Sequence, residues 1–408
     1  MGKDIVVGLD IGTTKICALV GKISSDDSLE IIGIGTHPSN GLRKGVVIDI
    51  DDTVKSIEKA VEKAEDMAGC EIDAVYVGIA GGHIKSFNSE GAIPLKNREI
   101  TKKDIERVID AASAISIPMD REIIQTMVQE YIVDEQDGIL NPVGMSGVRF
   151  GARVHIITAA VTSAQNIIKC ANKAGLDVCD IILQAIASSD AVLTDEEKKG
   201  NIILIDFGGG TTDMAVFSKG AVRHTSVLPL GGSNLTYDLS IGLKISEKEA
   251  EKIKKTQGCG CLSLISKGEI VEVSAIDGRR RRIIPKRKIA EILEPRIEEI
   301  FSLLHEDLIR SEVDINLNCG VVITGGSAKL EGIIEVAEKI FNVPVRIGYP
   351  KDIEGISEIV KEPMYATAVG LVLYGSKERE KRRKFRIRDS NIFIRIMNTM
   401  KKWFNEMF

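Results

Sequence analysis

The 408-residue sequence predicts a two-lobed α/β fold with an inserted α+β subdomain and a C-terminal amphipathic helix. Three observations carry this. A strand–turn–strand unit rich in glycine and threonine occurs twice, around Asp10 and around Asp206, 196 positions apart. Repetition of such a unit is a sign of duplicated architecture. The block from 83 to 157 interrupts the α/β pattern of the first half, and residues 392–408 carry apolar side chains every three or four positions behind a run that is nearly all charge.

With 44% apolar and 28% charged residues, the composition is that of a globular protein large enough for two or more domains. The seven cysteines (Cys17, Cys70, Cys170, Cys179, Cys259, Cys261 and Cys319) are scattered and odd in number. The Cys259-Gly260-Cys261 step is tighter than zinc spacing, so a reduced cytosol fits better than a disulfide framework. Nor do the five histidines cluster. The N-terminus runs straight into a strand without a signal-peptide pattern, and nowhere do about 18 consecutive apolar residues occur. The net charge of −5 is uneven: from Lys377 onward eleven Lys/Arg stand against four Asp/Glu. That surplus points to an acidic partner, a membrane or nucleic acid.

The first hairpin is Ile5-Val6-Val7-Gly8-Leu9-Asp10, then Gly12-Thr13-Thr14-Lys15, then a strand from Ile16. The second repeats it with a strand ending on Asp206, then Gly208-Gly209-Gly210-Thr211-Thr212 and a strand from Met214. Glycines permit the tight turn and a close approach of ligand. Their N–H groups, with the threonine hydroxyls, ring an anion. Walker and dinucleotide loops lead instead into a helix, whereas Met214 and Val216 alternate with Ala215 and Phe217 as in a strand. Either copy alone is also compatible with a plain glycine-rich hairpin. Two lobes offering both hairpins to one phosphate chain place Asp10 and Asp206 beside a shared Mg²⁺, held through its waters because Mg²⁺ dehydrates reluctantly. Lys15 either reaches phosphate or remains a solvated strand-end charge.

Further strands are expected over 31–34, 45–50 and 74–79, and a helix over 52–68 with Val54, Ile57, Ala60, Val61 and Ala64 on one face. In the inserted block Thr101 caps a helix with Asp104 in its first turn. Strands follow over 125–133 and 149–157, and no catalytic set converges there, which suits an interaction subdomain. Residues 163–174 predict a helix, and 181–183 a strand entering a small-residue helix at Gln184. That amide either orients a water in the cleft or bonds backbone. Gly231 and Gly232 precede a helix over 237–243. Ser246 begins another over 247–255, where Glu251 and Lys254 form a solvated ion pair or bracket a ribose. Arg279-Arg280-Arg281-Arg282 and Lys286-Arg287-Lys288 make a basic cluster. It suits an acidic peptide, nucleic acid or plain solvent, and the lack of interleaved aromatics disfavours base stacking. The helix over 289–308 is expected to break at Pro295. Strand 321–324 delivers Gly325, Gly326 and Ser327 to a turn where backbone lies flat against a nucleotide, and 364–374 is a small-residue helix packing between lobes.

Residues 377–388 are expected as a disordered charged linker. In the final helix Phe393, Ile396, Met397, Met400, Trp403, Phe404, Met407 and Phe408 form the apolar face, with Lys401 and Lys402 opposite. This pattern fits a helix lying in the headgroup region of an anionic leaflet.

With these pieces placed, the chain resembles the actin-like (ribonuclease H-like) ATPase superfamily and, within it, the FtsA family of bacterial cell-division proteins, over essentially its whole length. The two hairpins carry the resemblance, with Thr324-Gly325-Gly326-Ser327-Ala328-Lys329-Leu330-Glu331-Gly332, Leu230-Gly231-Gly232-Ser233-Asn234-Leu235-Thr236 and Glu362-Pro363-Met364-Tyr365-Ala366-Thr367-Ala368-Val369-Gly370. It implies ATP and Mg²⁺ as cofactors. Gly12 to Lys15 and Gly208 to Thr212 would hold phosphates near Gly231 and Gly232, and Asp10 and Asp206 would serve Mg²⁺. Glu251 and Lys254 would meet the ribose, and Gly325, Gly326 and Ser327 the adenosine. The implied domains are 1–82 with 159–198 and 362–376 (1A), 83–158 (1C), 199–228 with 315–361 (2A), 229–314 (2B), a linker over 377–389 and the terminal helix over 390–408. The implied partners are the C-terminal tail of FtsZ on Arg279, Arg282, Lys286 and Arg287, anionic lipid on the terminal helix, further copies in actin-like protofilaments, and other divisome proteins on 1C, without nucleic acid. The implied place is the cytoplasmic face of the bacterial cell membrane at the division site. Gln184 stands where chaperone ATPases carry a water-positioning Glu; a neutral amide polarises less, implying slow hydrolysis or nucleotide-dependent assembly. A sugar kinase or chaperone ATPase of the same superfold would need a carboxylate base in the cleft or a peptide-binding domain after the last small-residue helix, and neither is evident.

Overall fold

A computed structural model describes residues 5–24, 28–274, 281–311, 313 and 320–384. Two sheets of like topology form its lobes. In the first, strand Ile5–Ile11 pairs antiparallel with Lys15–Ile23, which pairs with Leu29–Pro38. On its other side it runs parallel to Ala74–Ile79, itself parallel to Asp177–Leu183. In the second, Asn201–Phe207 pairs antiparallel with Thr212–Ser218 and through it with Ala221–Leu228, and runs parallel to Val321–Thr324 and then Val345–Ile347. Each lobe therefore has an antiparallel three-strand meander followed by two parallel strands, and the first sheet gains a sixth strand, Glu354–Gly355, which pairs parallel with Leu29–Pro38 although the 315–361 segment is expected in the second lobe. The repeat extends well beyond the hairpin. Central strands bury both faces, which explains their near-continuous apolar sequence.

Two small-residue helices cross between the sheets, Gln184–Val192 and Ala366–Lys384. Gly370 sits at the crossing, where a Cβ would fall 1.8 Å from Ala187 O. A side chain there would hold the helices apart, so the small residues fix how closely they approach.

The insertion is a four-stranded sheet in the order Lys85–Glu99, Ser146–Ala160, Arg121–Val133, Gln136–Ile139. Helix Lys102–Ser113 covers one face, over Phe150, Val154 and Ile156. Residues alternate sides along a strand, so His155 points away from that core toward the second lobe. Its Nδ1 lies 2.8 Å from Asn88 Oδ1 and its Nε2 3.0 Å from Thr225 Oγ1. Ser86, Asn88 and Gln129 donate to the carbonyls of Thr225, Arg223 and Val222 at 2.8, 3.1 and 2.7 Å. Burial, with a smaller contribution from His224, pushes the His155 imidazole down to about 3. On unfolding the ring returns to about 6.5, so as pH falls below that value the unfolded chain takes up a proton that the folded one refuses. Stability is full above about pH 6.5 and falls by up to about 1.4 kcal/mol per pH unit below it. His155→Gln is expected to flatten the decline in Tm between pH 6.5 and 5; a slope equal to the parent's would count against a neutral buried ring.

Several expectations need correction. Strand Lys85–Glu99 is absent from the sequence expectation, because Lys85-Ser86 and Asn88-Ser89-Glu90 lack apolar alternation; Ser86 and Asn88 face the other lobe, while Ser89 donates to Ala112 O of the insertion's own helix. The expected strand over 45–50 shrinks to Val46–Val47, paired with Leu42–Arg43, because Asp49 caps a helix that begins at Ile50. Pro295 does not break the helix, which runs from Lys286 to Arg310. Its buried stripe, including Leu293, Ile297, Ile300 and Phe301, holds the segment helical on both sides of the proline. The last described helix continues to Lys384, through the start of the supposed linker. Lys, Arg and Glu without Gly or Pro are good helix formers. The apolar series from Phe393 to Phe408, and Arg279, lie outside the described residues.

Candidate functional site

Both hairpins close alike: Gly12 N–H donates to Lys15 O at 3.1 Å and Gly208 N–H to Thr211 O at 3.0 Å. Asp10 stands opposite Cys17, and Asp206 opposite Asp213. Their tips meet across the cleft. A Cβ on Gly210 would fall 2.3 Å from Thr13 Oγ1, and one on Gly209 2.4 Å from Thr14 Cγ2. At this separation only glycine fits. The cleft so formed has a cavity of about 110 Å³, lined by Asp10, Thr13, Lys15, Gln184, Asp206 and Gly325 among others.

Buried carboxylates form its floor. Asp206 Oδ2 accepts from Ser188 Oγ at 2.5 Å and Thr367 Oγ1 at 3.0 Å, one hydroxyl from each crossing helix. Asp10 Oδ1 accepts from Gln184 Nε2 at 3.0 Å. Asp213 Oδ2 accepts from Thr211 Oγ1 at 2.8 Å, while its buried Oδ1 has no partner. Burial pushes Asp10 up to about 7, with Lys15 opposing and Asp206 adding to the shift. Burial likewise raises Asp206 against its two hydroxyl donors, and raises Asp213 far above the carboxylate range, with Asp206 contributing. Three facing carboxylates with an orphaned oxygen suit a cation. Among the described residues, however, no three His, Cys, Asp or Glu side chains converge closely enough to ligate one ion directly. The arrangement therefore fits Mg²⁺ held through water and phosphate, the ion's usual habit. Asp213 was assigned no role from sequence; the signal was the hairpin spacing that sets it opposite Asp206.

Residues expected around the nucleotide gather at Gly208. Gly232 N–H donates to Gly208 O at 3.0 Å, Ser233 N–H to Gly209 O at 2.8 Å, and Ser327 Oγ to Gly208 O at 3.1 Å. Lys254 Nζ donates to Gly232 O at 2.8 Å and pairs with Glu251 at 2.6 Å, while Thr236, missed from sequence, bonds both. Burial alone would raise the Glu251 carboxyl, yet Lys254, Thr236 and Lys255 hold it at about 2. Burial in turn pushes Lys254 down against the pull of Glu251. Lys254 is only 12% exposed, so the pair is not the freely solvated one. Gly325 N–H donates to Pro363 O at 3.2 Å, which ties the expected adenosine turn to the start of the last helix.

Five expected residues take partners within the chain. Gln184 bonds Asp10 and not backbone. Lys15 donates to Met364 O at 2.8 Å and stands 3.9 Å over the Tyr365 ring. In the basic cluster, Arg282 donates to Leu243 O at 2.5 Å, Lys286 pairs with Glu269 and Glu331, and Arg287 with Glu291. Much of that charge is compensated within the chain.

The family model described as "Cell division protein FtsA" matches residues 203–370, and one described as "SHS2 domain inserted in FTSA" matches residues 81–158. Cell division protein FtsA of Pseudomonas aeruginosa is 47% identical, covering 91% of this chain and 89% of its own. The chain belongs to the FtsA family. The Escherichia coli K12 FtsA is 40% identical over 92% of this chain and 91% of its own, and the Borreliella burgdorferi FtsA 39% identical over 99% of each. The chain is thus an actin-like cell-division protein. Among solved structures, the PilM-PilN type IV pilus biogenesis complex aligns with a TM-score of 0.67 at 16% identity, covering 91% of this chain and 98% of that one. MreB5 of Spiroplasma citri bound to AMPPNP aligns at 0.57 and 14% identity, covering 93% and 98%. These two bear on the fold, and they agree with the two-lobed actin-like arrangement.

Proposed function

We propose that this FtsA binds Mg·ATP between its lobes, that nucleotide favours a closed state able to self-associate into actin-like protofilaments, and that the assembly anchors FtsZ to the cytoplasmic face of the cell membrane at the division site. The observation that carries this is the pair of like hairpins whose tips meet over Asp10 and Asp206. In this reading Gly12 to Lys15 and Gly208 to Thr212 hold the phosphates. Asp10 and Asp206 face the hydrated Mg²⁺, with Asp213 behind. Gly231, Gly232, Glu251 and Lys254 border the ribose, and Gly325 to Ser327 back the adenosine. The Mg²⁺ would supply charge neutralisation on the phosphates; the chain's residues orient them and exclude water. Gln184, occupied by Asp10, is a poor water activator, which favours slow turnover and a nucleotide that acts by holding the lobes together.

The proposed division is lobe 1 (1–82, 159–198 and 362–376), lobe 2 (199–228 and 315–361, with the Glu354–Gly355 strand crossing onto the sheet of lobe 1) with an outer subdomain (229–314), and the insertion (83–158), which would receive other divisome proteins. The FtsZ tail would meet the basic cluster, where Arg287 keeps 64% exposure, together with Arg279, Arg282 and Lys286. Among the described residues no helix is long and apolar enough to cross a membrane. Attachment is assigned to the sequence pattern of residues 392–408, apolar on one side and bearing Lys401 and Lys402 on the other. Deleting residues 389–408 is expected to abolish sedimentation with anionic liposomes. Undiminished pelleting of the shortened chain would sink the tether.

A further inference from the structure

We propose that Tyr365 is a positioning residue for nucleotide phosphate: its ring, with the carbonyl of Met364, seats the Lys15 ammonium at the edge of the cleft. The proposal rests on the reading of the cleft as a nucleotide site. Lys15 leaves the tip of the first hairpin on a flexible four-carbon stem, and an ammonium at the end of such a stem has many positions open to it. Here it has one. Its Nζ donates to Met364 O at 2.8 Å and lies 3.9 Å from the centroid of the Tyr365 ring, close enough for a cation–π attraction. An ammonium has three N–H donors: the carbonyl takes one, one turns toward the ring face, and one remains for an anion in the cleft. Lys15 and Met364 both line that cleft with Asp10 and Asp206.

The seat itself is fixed. Pro363 O accepts from Gly325 N–H at 3.2 Å and from Thr324 Oγ1 at 3.3 Å, Lys329 pairs with Glu362, and Thr367, two residues on, donates to Asp206. The turn Pro363–Tyr365 is thus held by the second lobe while it holds a lysine of the first. A phosphate chain that engages Lys15 finds its charge already placed, and the ordering cost is borne by the fold before the ligand arrives. The attraction uses the ring face, so phenylalanine serves as well as tyrosine and an aliphatic side chain does not.

The experiment is calorimetry of the full chain with Mg²⁺ and ADP or AMP, since Lys15 is reached by phosphates beyond the first. Tyr365→Leu is expected to weaken ADP by roughly three- to thirty-fold, the range of a partly desolvated cation–π contact, and to leave AMP unchanged. Tyr365→Phe should bind both as the parent does. In a Lys15→Met background, adding Tyr365→Leu should cost ADP nothing further, since the ring acts only through the ammonium. Equal losses for ADP and AMP, a loss that persists in the Lys15→Met background, or tighter ADP binding by Tyr365→Leu would each overturn the proposal. A parent chain that binds no ADP with or without Mg²⁺ would overturn the nucleotide reading itself, a result separable from the other three.

Discussion

Asp206→Asn is expected to remove most of the Mg²⁺-dependent nucleotide binding and to leave the empty protein as stable as the parent or more so. The two effects have opposite causes at one carboxylate. Without ligand, Asp206 is a buried acid whose ionised form is opposed by desolvation and which itself raises Asp10 and Asp213. Asparagine keeps an oxygen to accept from Ser188 and Thr367 and takes the charge away, and replacing a buried charge by a satisfied neutral group is commonly neutral or stabilising. In the proposed Mg·nucleotide site, the charge is what would face the cation. Losing a carboxylate that acts through water weakens metal affinity by roughly 10- to 100-fold. A nucleotide present at about 100 times its Kd stabilises the parent by about 2.7 kcal/mol; after a hundred-fold loss the same concentration contributes about 0.4 kcal/mol. Thermal melts with and without Mg·ADP read both quantities. A variant that keeps the ligand-induced shift would refute the assignment of Asp206 to the cation.

Gly370→Val should fail in the other way, with stability and binding lost together. Its Cβ would lie 1.8 Å from Ala187 O and 2.3 Å from Ala187 C, backbone atoms that cannot rotate aside. Overpacking usually costs about 1–3 kcal/mol, and a clash with backbone atoms belongs at the top of that range or above. The helices forced apart carry Gln184 and Ser188 on one side and Thr367 on the other, so Asp10 and Asp206 both lose the groups that orient them. A melting temperature close to the parent's would mean that the helices slide apart at little cost.

The parts legible in the sequence were those where chemistry dictates residue type locally. Glycines at the hairpin tips, threonines beside them and an aspartate at each strand end declare themselves, as does the Thr101–Asp104 start of the insertion's helix. What escaped was set by distant neighbours. Strand Lys85–Glu99 is polar where it meets the second lobe, so the period that marks a strand is absent. Pro295 stays helical because of what packs around it. The contact of Lys15 with Met364 spans 349 positions, and no local pattern announces it. Asp213 was visible as a residue, but its orphaned oxygen follows only from the register that sets it against Asp206.

The insertion belongs in sequence to the first lobe, yet it is bonded to the end strand of the second lobe's sheet, Ala221–Leu228. An end strand ordinarily offers bare peptide groups as a template for another chain's strand. Here amide and hydroxyl side chains, and not a further strand, occupy the carbonyls of Val222, Arg223 and Thr225. The insertion is therefore a guard on that margin. A chain trimmed of it would gain a sticky border, and its clumping could be mistaken for loss of a binding partner.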